Sequence, residues 1–428
     1  MYIFPSYGTM STQAVSSAPW DMRKAASCRR IEDLWMKDRI YVCHTYYHAY
    51  VAFLKELHLR RGKDKAAAGE ASLVLSSMSN DFEQFGERVK AAGLFADVIS
   101  FDEKREDHFP ELAAFRQDKG NIIFNMWQRI RFTKRYAELE APYVPVDFRK
   151  YREIYVFCDS DPIGYYLNQN RIHYHALEDG LNCLVHFDAA RYDNRGHFGL
   201  KAFLSKKLNL IFVQNGYGKY CLDMEVNSIS AITMPCPYYK ELPRQNLVDA
   251  LTREDKDVIL RAFVRDMDSL LKKIEECGGK SGETEASGKP GEESTKGTGA
   301  GGQKQDKILL LTDPLCTLDV REQIFKDIVE EYEKQGQIFI KPHPRDELDY
   351  RKVFPGYPIF DATVPMEMLN FFPDLHFDMV VTVFTDLKGI RFADKLVRLG
   401  DEFMDKYEDP EIHNQNKRIG IIEKDNQL

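Results

Sequence analysis

Short apolar runs, each followed by an amphipathic stretch, recur along most of this chain, and that alternation limits the fold more than any other feature. Arg39-Ile40-Tyr41-Val42-Cys43 reads as a strand, and Tyr46 to Leu57 repeats its apolar residues at helical spacing. Ala71 to Leu75 is again strand-like, Asp81 to Ala92 helical, and Phe95 to Ile99 a strand. Asn121 to Tyr136 predicts a helix, Glu153 to Cys158 a buried strand and Leu208 to Val213 a further one. Such runs predict a parallel sheet covered by helices on both faces.

The pattern stops and restarts. Asn246 to Cys277 carries Leu260, Phe263, Met267, Leu270 and Ile274 on one stripe, which predicts a long amphipathic helix. Residues 278–306 then contain no Val, Ile, Leu, Met, Phe, Trp or Tyr but nine of the 26 glycines. A segment of that kind buries too little to offset its ordering entropy and is expected to be a flexible insertion. Beyond it Lys307 to Leu311 reads as a strand, Arg321 to Gln335 as a helix, and Gln337 to Lys341 and Met379 to Val383 as strands. The expected class is α/β, with two Rossmann-like domains at 39–245 and 307–398 joined through 246–277. Residues 1–38 read as a loosely ordered leader and 399–428 as a terminal helix and tail. Ligands of open sheets sit at the carboxyl ends of strands, so the two units are expected to face one cleft.

Composition excludes several classes. With 43% hydrophobic residues over 428 positions, wholesale disorder is ruled out. A net charge of −8 argues against a general nucleic-acid binder. No apolar run reaches the roughly 18 residues of a membrane span, and the start of the chain lacks a secretory pattern. Eight scattered cysteines without a Cys-x-x-Cys pair read as reduced thiols of a cytoplasmic protein.

Three constellations carry chemistry. In Lys341-Pro342-His343-Pro344-Arg345-Asp346 a histidine between two prolines follows a strand, on a fixed extended backbone. A protonated imidazole there, with Lys341 and Arg345 adding charge, suits a phosphate leaving group; a proline-stiffened surface loop is the alternative. In Glu178-Asp179-Gly180 one carboxylate is placed to take a proton from a substrate hydroxyl while its neighbour orients it, although acid–acid–glycine turns are also commonly just solvated. The strand end Val380 to Asp386 offers Thr382 and Thr385 to a phosphate or carboxylate, aided by amides of a helix expected near Asp386. Helix capping by Thr385 or Asp386 competes with that reading.

Other signals weigh less. Asp159-Ser160-Asp161 after a buried strand is how GT-A glycosyltransferases hold a divalent cation, but Asp161 before Pro162 equally fits a helix cap. The pairs His173/His175 and His44/His48 mimic metal ligands and read more readily as core residues. Gly216-Tyr217-Gly218 lacks dinucleotide-binding spacing. The basic run Arg60 to Lys65 reads as a solvated loop, with a membrane surface as the other reading.

Taken in order, Val42-Cys43-His44-Thr45-Tyr46-Tyr47-His48, Glu178-Asp179-Gly180, His343-Pro344, Pro365-Met366-Glu367 and Thr382 to Thr385 resemble the bacterial GT-B sialyltransferases. The nearest likeness is to glycosyltransferase family 52, the lipooligosaccharide sialyltransferases, and it covers Arg39 to Arg398. The resemblance implies a two-domain GT-B enzyme that inverts the anomeric centre and needs no metal or other cofactor. It implies CMP-sialic acid as donor and a terminal sugar of a bacterial surface glycan, lipooligosaccharide or capsule, as acceptor. Asp179 would be the general base, with Glu178 and Gly180 shaping its turn and His44 and Thr45 lining the acceptor side. His343 would bind the donor phosphate and act as acid, next to Lys341 and Pro344. Thr382 and Thr385 would hold that phosphate or the sialyl carboxylate, and Glu367 would reach the ribose. A homodimer is also implied. Separately from the resemblance, the net charge points away from nucleic acid, and peripheral association with the inner membrane surface is the other localisation expected beside a cytoplasmic one. A departing monophosphate agrees with such a site, since one imidazolium, hydroxyls and amides suffice without a cation. Two other readings stay open: transfer from a UDP-sugar or CDP-glycerol, and a catalytically silent nucleotide- or glycan-binding module.

Overall fold

β1 (Lys37–Cys43) is buried over its last five residues, and its apolar side chains feed cores on both faces of a sheet. That is the signature of a central parallel strand. The computed structural model describes residues 37–409 except 64–68, 83, 158, 160, 180–183, 185–196, 233–234 and 278–304. Most of the expected leader, nearly all of the low-complexity insertion, Gly180 and residues 410–428 lie outside the described residues.

β1 pairs in parallel with β2 (Ala71–Ser76) on one side and with β4 (Tyr151–Phe157) on the other. β3 (Asp97–Phe101), β5 (Tyr174–Leu177), β6 (Cys221–Val226) and β7 (Tyr239–Glu241) complete a seven-stranded parallel sheet in the order β3-β2-β1-β4-β5-β6-β7. A second parallel sheet contains β8 (Asp306–Leu311), β9 (Gly336–Lys341), β10 (Phe377–Thr382) and β11 (Ala393–Arg398), ordered β11-β10-β8-β9. The expected two α/β units are present. Strand order reverses beside β1 and β4 in the first sheet and beside β8 and β10 in the second, so ligand crevices open at the carboxyl ends of those strands.

The helices that matter for the site are α1 (Tyr46–Arg60), α2 (Phe85–Ala92), α3 (Ile122–Glu140), α4 (Pro162–Gln169) and α5 (Phe198–Lys206). One apolar core joins both halves: Tyr50, Phe53 and Phe263 of the first unit share it with Phe371 and Phe377 of the second. The Tyr50 and Phe371 rings lie 6.4 Å apart.

Several expectations shift. The long helix from Asn246 to Cys277 is three helices, α6 (Arg244–Asp249), α7 (Arg253–Phe263) and α8 (Met267–Cys277). Thr252 and Asp255 form a reciprocal capping box that starts α7 afresh. Leu208 to Val213 is a loop rather than a strand, because Asn209 takes a positive φ of 54° and Val213 N–H donates to the Ser205 hydroxyl. The strand in that region is β6, whose Asp223 and Glu225 disguise it in sequence. Their charges are met by Lys240 and His175 and by Lys55 respectively. β5 begins only at Tyr174, three residues after Arg171 turns the chain with a φ of 59°. No helix starts near Asp386; the chain runs through a loop directly into β11.

Candidate active site

Thr45 ends β1 and caps α1, its hydroxyl accepting from His48 N–H at 3.1 Å. That cap sets the first turn of α1 so that His44 and His48 stand edge to face, ring centres 5.9 Å apart. His48 lies flat on Phe157 of β4 at 4.2 Å. Its Nδ1 accepts from His44 N–H at 3.1 Å, so the ring proton resides on Nε2 and is donated to Asp179 Oδ1. Asp179 follows β5, and its side chain keeps 48% exposure. Burial pushes its pKa up, but the bond from His48, with the charges of Arg345 and Arg244, brings it down to about 2. The result is an oriented, permanently ionised carboxylate at a strand end.

Beneath it lies a buried ionic network. His44 Nε2 bonds Glu103 at 2.6 Å, and its Nδ1 stands 3.4 Å from Asp161. Burial alone would lower the His44 pKa; Glu103 and Asp161 outweigh it and lift it to about 9, so the ring is an imidazolium. Glu103 also accepts from Ser76 and from Ile163 N–H at the start of α4. Gly164 lets α4 approach this turn, since a Cβ there would meet Asp159 O at 2.0 Å. His44 and Thr45 therefore do not line an acceptor surface. His44 is 1% exposed and acts as a buried support, and the half-buried Thr45 hydroxyl caps its helix by accepting from His48 N–H.

Glu178 is likewise a fixture. It is buried and accepts from Asn227 N–H at 2.7 Å and Asn227 Nδ2 at 3.1 Å, while Arg244 donates to its carbonyl. Gly180 lies outside the described residues. Arg244 also donates to Tyr47 OH at 2.7 Å, anchoring α6 across the top of α1.

The second half answers from β8, β9 and β10. Asp313, just after β8, accepts from Thr382 Oγ1 at 2.9 Å, Thr385 Oγ1 at 2.6 Å and Phe384 N–H at 3.1 Å. The hydroxyl protons of Thr382 and Thr385 are thus spent on Asp313, and neither is poised to donate to a phosphate as expected. Lys341 is corrected too. It is 4% exposed, and its ammonium donates to Pro342 O at 2.9 Å and Ala362 O at 3.2 Å; burial lowers its pKa to about 8. It pins the turn instead of facing a donor.

His343 N–H donates to Thr312 Oγ1 at 3.0 Å, and His343 Nδ1 accepts from Arg345 N–H at 3.1 Å. Its proton therefore sits on Nε2. Burial, aided by Arg345 and Lys341, lowers its pKa to about 4, so the ring is neutral and not the imidazolium the sequence suggested. Asp346 braces the turn, accepting from Thr312, Arg321 and Tyr350 at 3.2, 2.7 and 2.7 Å. Pro344 and Arg345 are exposed at its tip. Glu367, on a single-turn 3-10 helix (Met366–Phe371), is partly buried; burial raises its pKa against the charges of Arg244 and Lys341.

The halves converge. Arg345 of the second unit lies close enough to Asp179 of the first to help hold it ionised, and Glu367 feels Arg244. The rival metal readings do not assemble. Asp159 points into the core toward Tyr174 OH and Asn215 N–H, away from Asp161 and its His44 partner. His175 is paired with Asp223. Among the described residues only His376, Asp378 and Asp394 gather three possible ligand atoms, at the amino ends of β10 and β11.

The residues that sequence reasoning missed are Asp313, Asp346, Glu103 and Arg244, together with the role of His48.

Residues 128–385 match the profile of glycosyltransferase family 52. The chain belongs to this family. As a family 52 glycosyltransferase of GT-B type, it carries its Glu178-Asp179 and His343-Pro344 motifs within the matched span. A curated relative, an uncharacterized protein of Haemophilus influenzae, is 33% identical over 85 residues, which are 19% of this chain and 27% of that protein. The chain thus matches about a quarter of the relative's length. Among solved structures it is similar to an alpha/beta-galactoside alpha-2,3-sialyltransferase from Photobacterium phosphoreum, at 11% identity and a TM-score of 0.46, over 84% of this chain and 89% of that one. A sialyltransferase from Photobacterium damsela gives 12% identity and 0.44, over 91% and 80%. UGT89C1 of Arabidopsis thaliana complexed with UDP gives 7% and 0.41, over 91% and 94%. All three likenesses are distant. Among the described residues of the family 52 protein, no helix is long and apolar enough to cross a membrane.

Proposed function

We propose that this glycosyltransferase moves sialic acid from CMP-sialic acid to a terminal sugar of a bacterial surface glycan, with inversion and without a metal. The observation that supports this reading is the ionised Asp179, held by His48 and feeling the charge of Arg345 from the second unit. The acceptor hydroxyl gives its proton to Asp179 as its oxygen attacks the anomeric carbon. The bond to the CMP phosphate breaks, and its electron pair leaves on the phosphate oxygen. A carboxylate of such low pKa is a weak base, so it takes the proton late, when the C–O bond is largely formed. An oxocarbenium-like transition state tolerates that.

On the leaving-group side the neutral His343 donates from Nε2, and Arg345 supplies the positive charge. With the Lys341 ammonium and both threonine hydroxyls committed within the protein, the electropositive capacity left is small. It suits a departing monoester better than a diphosphate, and it favours CMP over UDP. A donor screen with CMP-sialic acid, UDP-sugars and CDP-glycerol, read by nucleotide release with and without chelator, tests the reading. CMP release unaffected by chelator is expected; a preference for UDP, or a need for cation, overturns it.

A further inference from the structure

Of the thirteen large apolar side chains that stand exposed among the described residues, eight lie on two segments. Ile122, Ile123, Phe124 and Trp127 occupy the first two turns of α3 and are 51–74% exposed. The buried side chains of that helix begin only at Arg129, and Phe132, Tyr136 and Ala137 pack with Tyr165 of α4 and Phe212. Leu200 and Phe203 of α5, with Leu208 and Leu210 just after it, are 40–52% exposed. The two segments are neighbours: Arg129 donates to Phe212 O at 3.1 Å, and Phe132, Tyr165 and Phe212 share one small core.

The charge on these segments is one-sided. From Lys119 to Ala137 there are five basic residues and no acid, and from His197 to Leu222 four basic residues and no acid, in a chain of net charge −8. Arg129 is buried and Lys206 is spent on the carbonyls of Gly216, Gly218 and Cys221, which leaves seven of the nine to face outward. Arg131 lies over the Trp127 ring at 4.6 Å and the Phe115 ring at 5.0 Å, placing a guanidinium among the exposed aromatics. Acids come only at the rim. Asp118 is occupied by Gly120 N–H and Asn125, and Glu111 and Glu138 by Arg135.

We propose that this face docks on an anionic lipid bilayer. Trp, Phe and Ile side chains on a helix end, interleaved with Arg and Lys, are the composition that seats at a headgroup boundary. A second copy of the chain is the weaker occupant, because a two-fold contact would set the same basic patch against itself. The basic run Arg60 to Lys65, which suggested a membrane surface in sequence, has no such apolar company among its described residues: Arg60 pairs with Glu56. A bilayer is where lipid-linked acceptors reside; that consequence rests on the proposed function, whereas docking itself does not.

The full chain is incubated with vesicles of phosphatidylcholine alone or mixed with phosphatidylglycerol, and bound protein is read by co-sedimentation at low and high salt. Binding to the anionic vesicles alone, weakened by salt, is expected. Ile123→Glu with Trp127→Glu, and separately Leu200→Glu with Phe203→Glu, should each lower it by roughly tenfold while circular dichroism and nucleotide release with a soluble acceptor stay unchanged. Lys63→Glu serves as the control and should bind as the parent does. Absence of binding to either vesicle, undiminished binding of both double variants, or loss on Lys63→Glu overturns the assignment. So does a dimer in sedimentation velocity that the same double variants dissolve. If vesicles bind as expected while CMP-sialic acid is not consumed, the docking stands and the sialyl reading falls.

Discussion

The two halves of the cleft position their working groups by opposite means. In the first unit Asp179 is held by the His48 ring, whose other nitrogen accepts from the His44 backbone N–H, while the His44 imidazolium is itself fixed on Glu103. In the second unit the working histidine is kept neutral, and the loops around it are tied by hydroxyls and amides gathered on Asp313 and Asp346. The contrast fits the tasks proposed for Asp179 and His343. A base must stay ionised in a desolvating site and needs a partner that cannot drift; a donor to a leaving phosphate needs an N–H and a fixed angle more than a resident charge.

The largest way to break the comparison is Asp179→Asn. Transfer should fall by roughly a thousandfold, with CMP affinity by calorimetry within a factor of about two; full activity would remove the base from the first half. His343→Ala should lower turnover by roughly a hundredfold and weaken CMP binding as well, which a split of kcat and KM would separate from the Asp179 effect. Asp313→Ala leaves the buried Thr382 hydroxyl without its acceptor and should cost about 2–3 kcal/mol in denaturant unfolding. Its kinetic signature should be a raised donor KM with the acceptor KM unchanged.

His48→Gln sharpens the contrast through pH. Without the imidazole the Asp179 pKa should rise from about 2 toward the ordinary carboxylate range, so the acid limb of the kcat/KM profile moves up while turnover drops by about tenfold. The smallest effect concerns His44. Its folded pKa of about 9 exceeds its unfolded value near 6.5, so its contribution to stability is complete below pH 6.5 and is lost as pH rises through 9. Melting temperature should decline by about 5 °C across that window, and His44→Gln should flatten the decline.

Much of this was legible in the residues. β1, β4, β8 and β9 are buried on both faces and so read as unbroken apolar runs, and the two-unit α/β plan followed from them. β6 did not, because Asp223 and Glu225 make sense in a sheet only once Lys55, His175 and Lys240 arrive from distant segments. Asp179 and His343 stood out by their motifs, yet their protonation did not. A histidine 131 positions before Asp179 sets one, and burial beside Arg345 sets the other. Thr382, Thr385 and Lys341 looked available because their partners, Asp313 and two backbone carbonyls, leave no mark in local sequence.

The apolar core that runs through Tyr50, Phe263 and Phe371 into both sheets bears on how the units move. Any motion that parts the two units must first repack the rings of Tyr50, Phe263 and Phe371, which makes that aromatic seam the hinge side of the molecule.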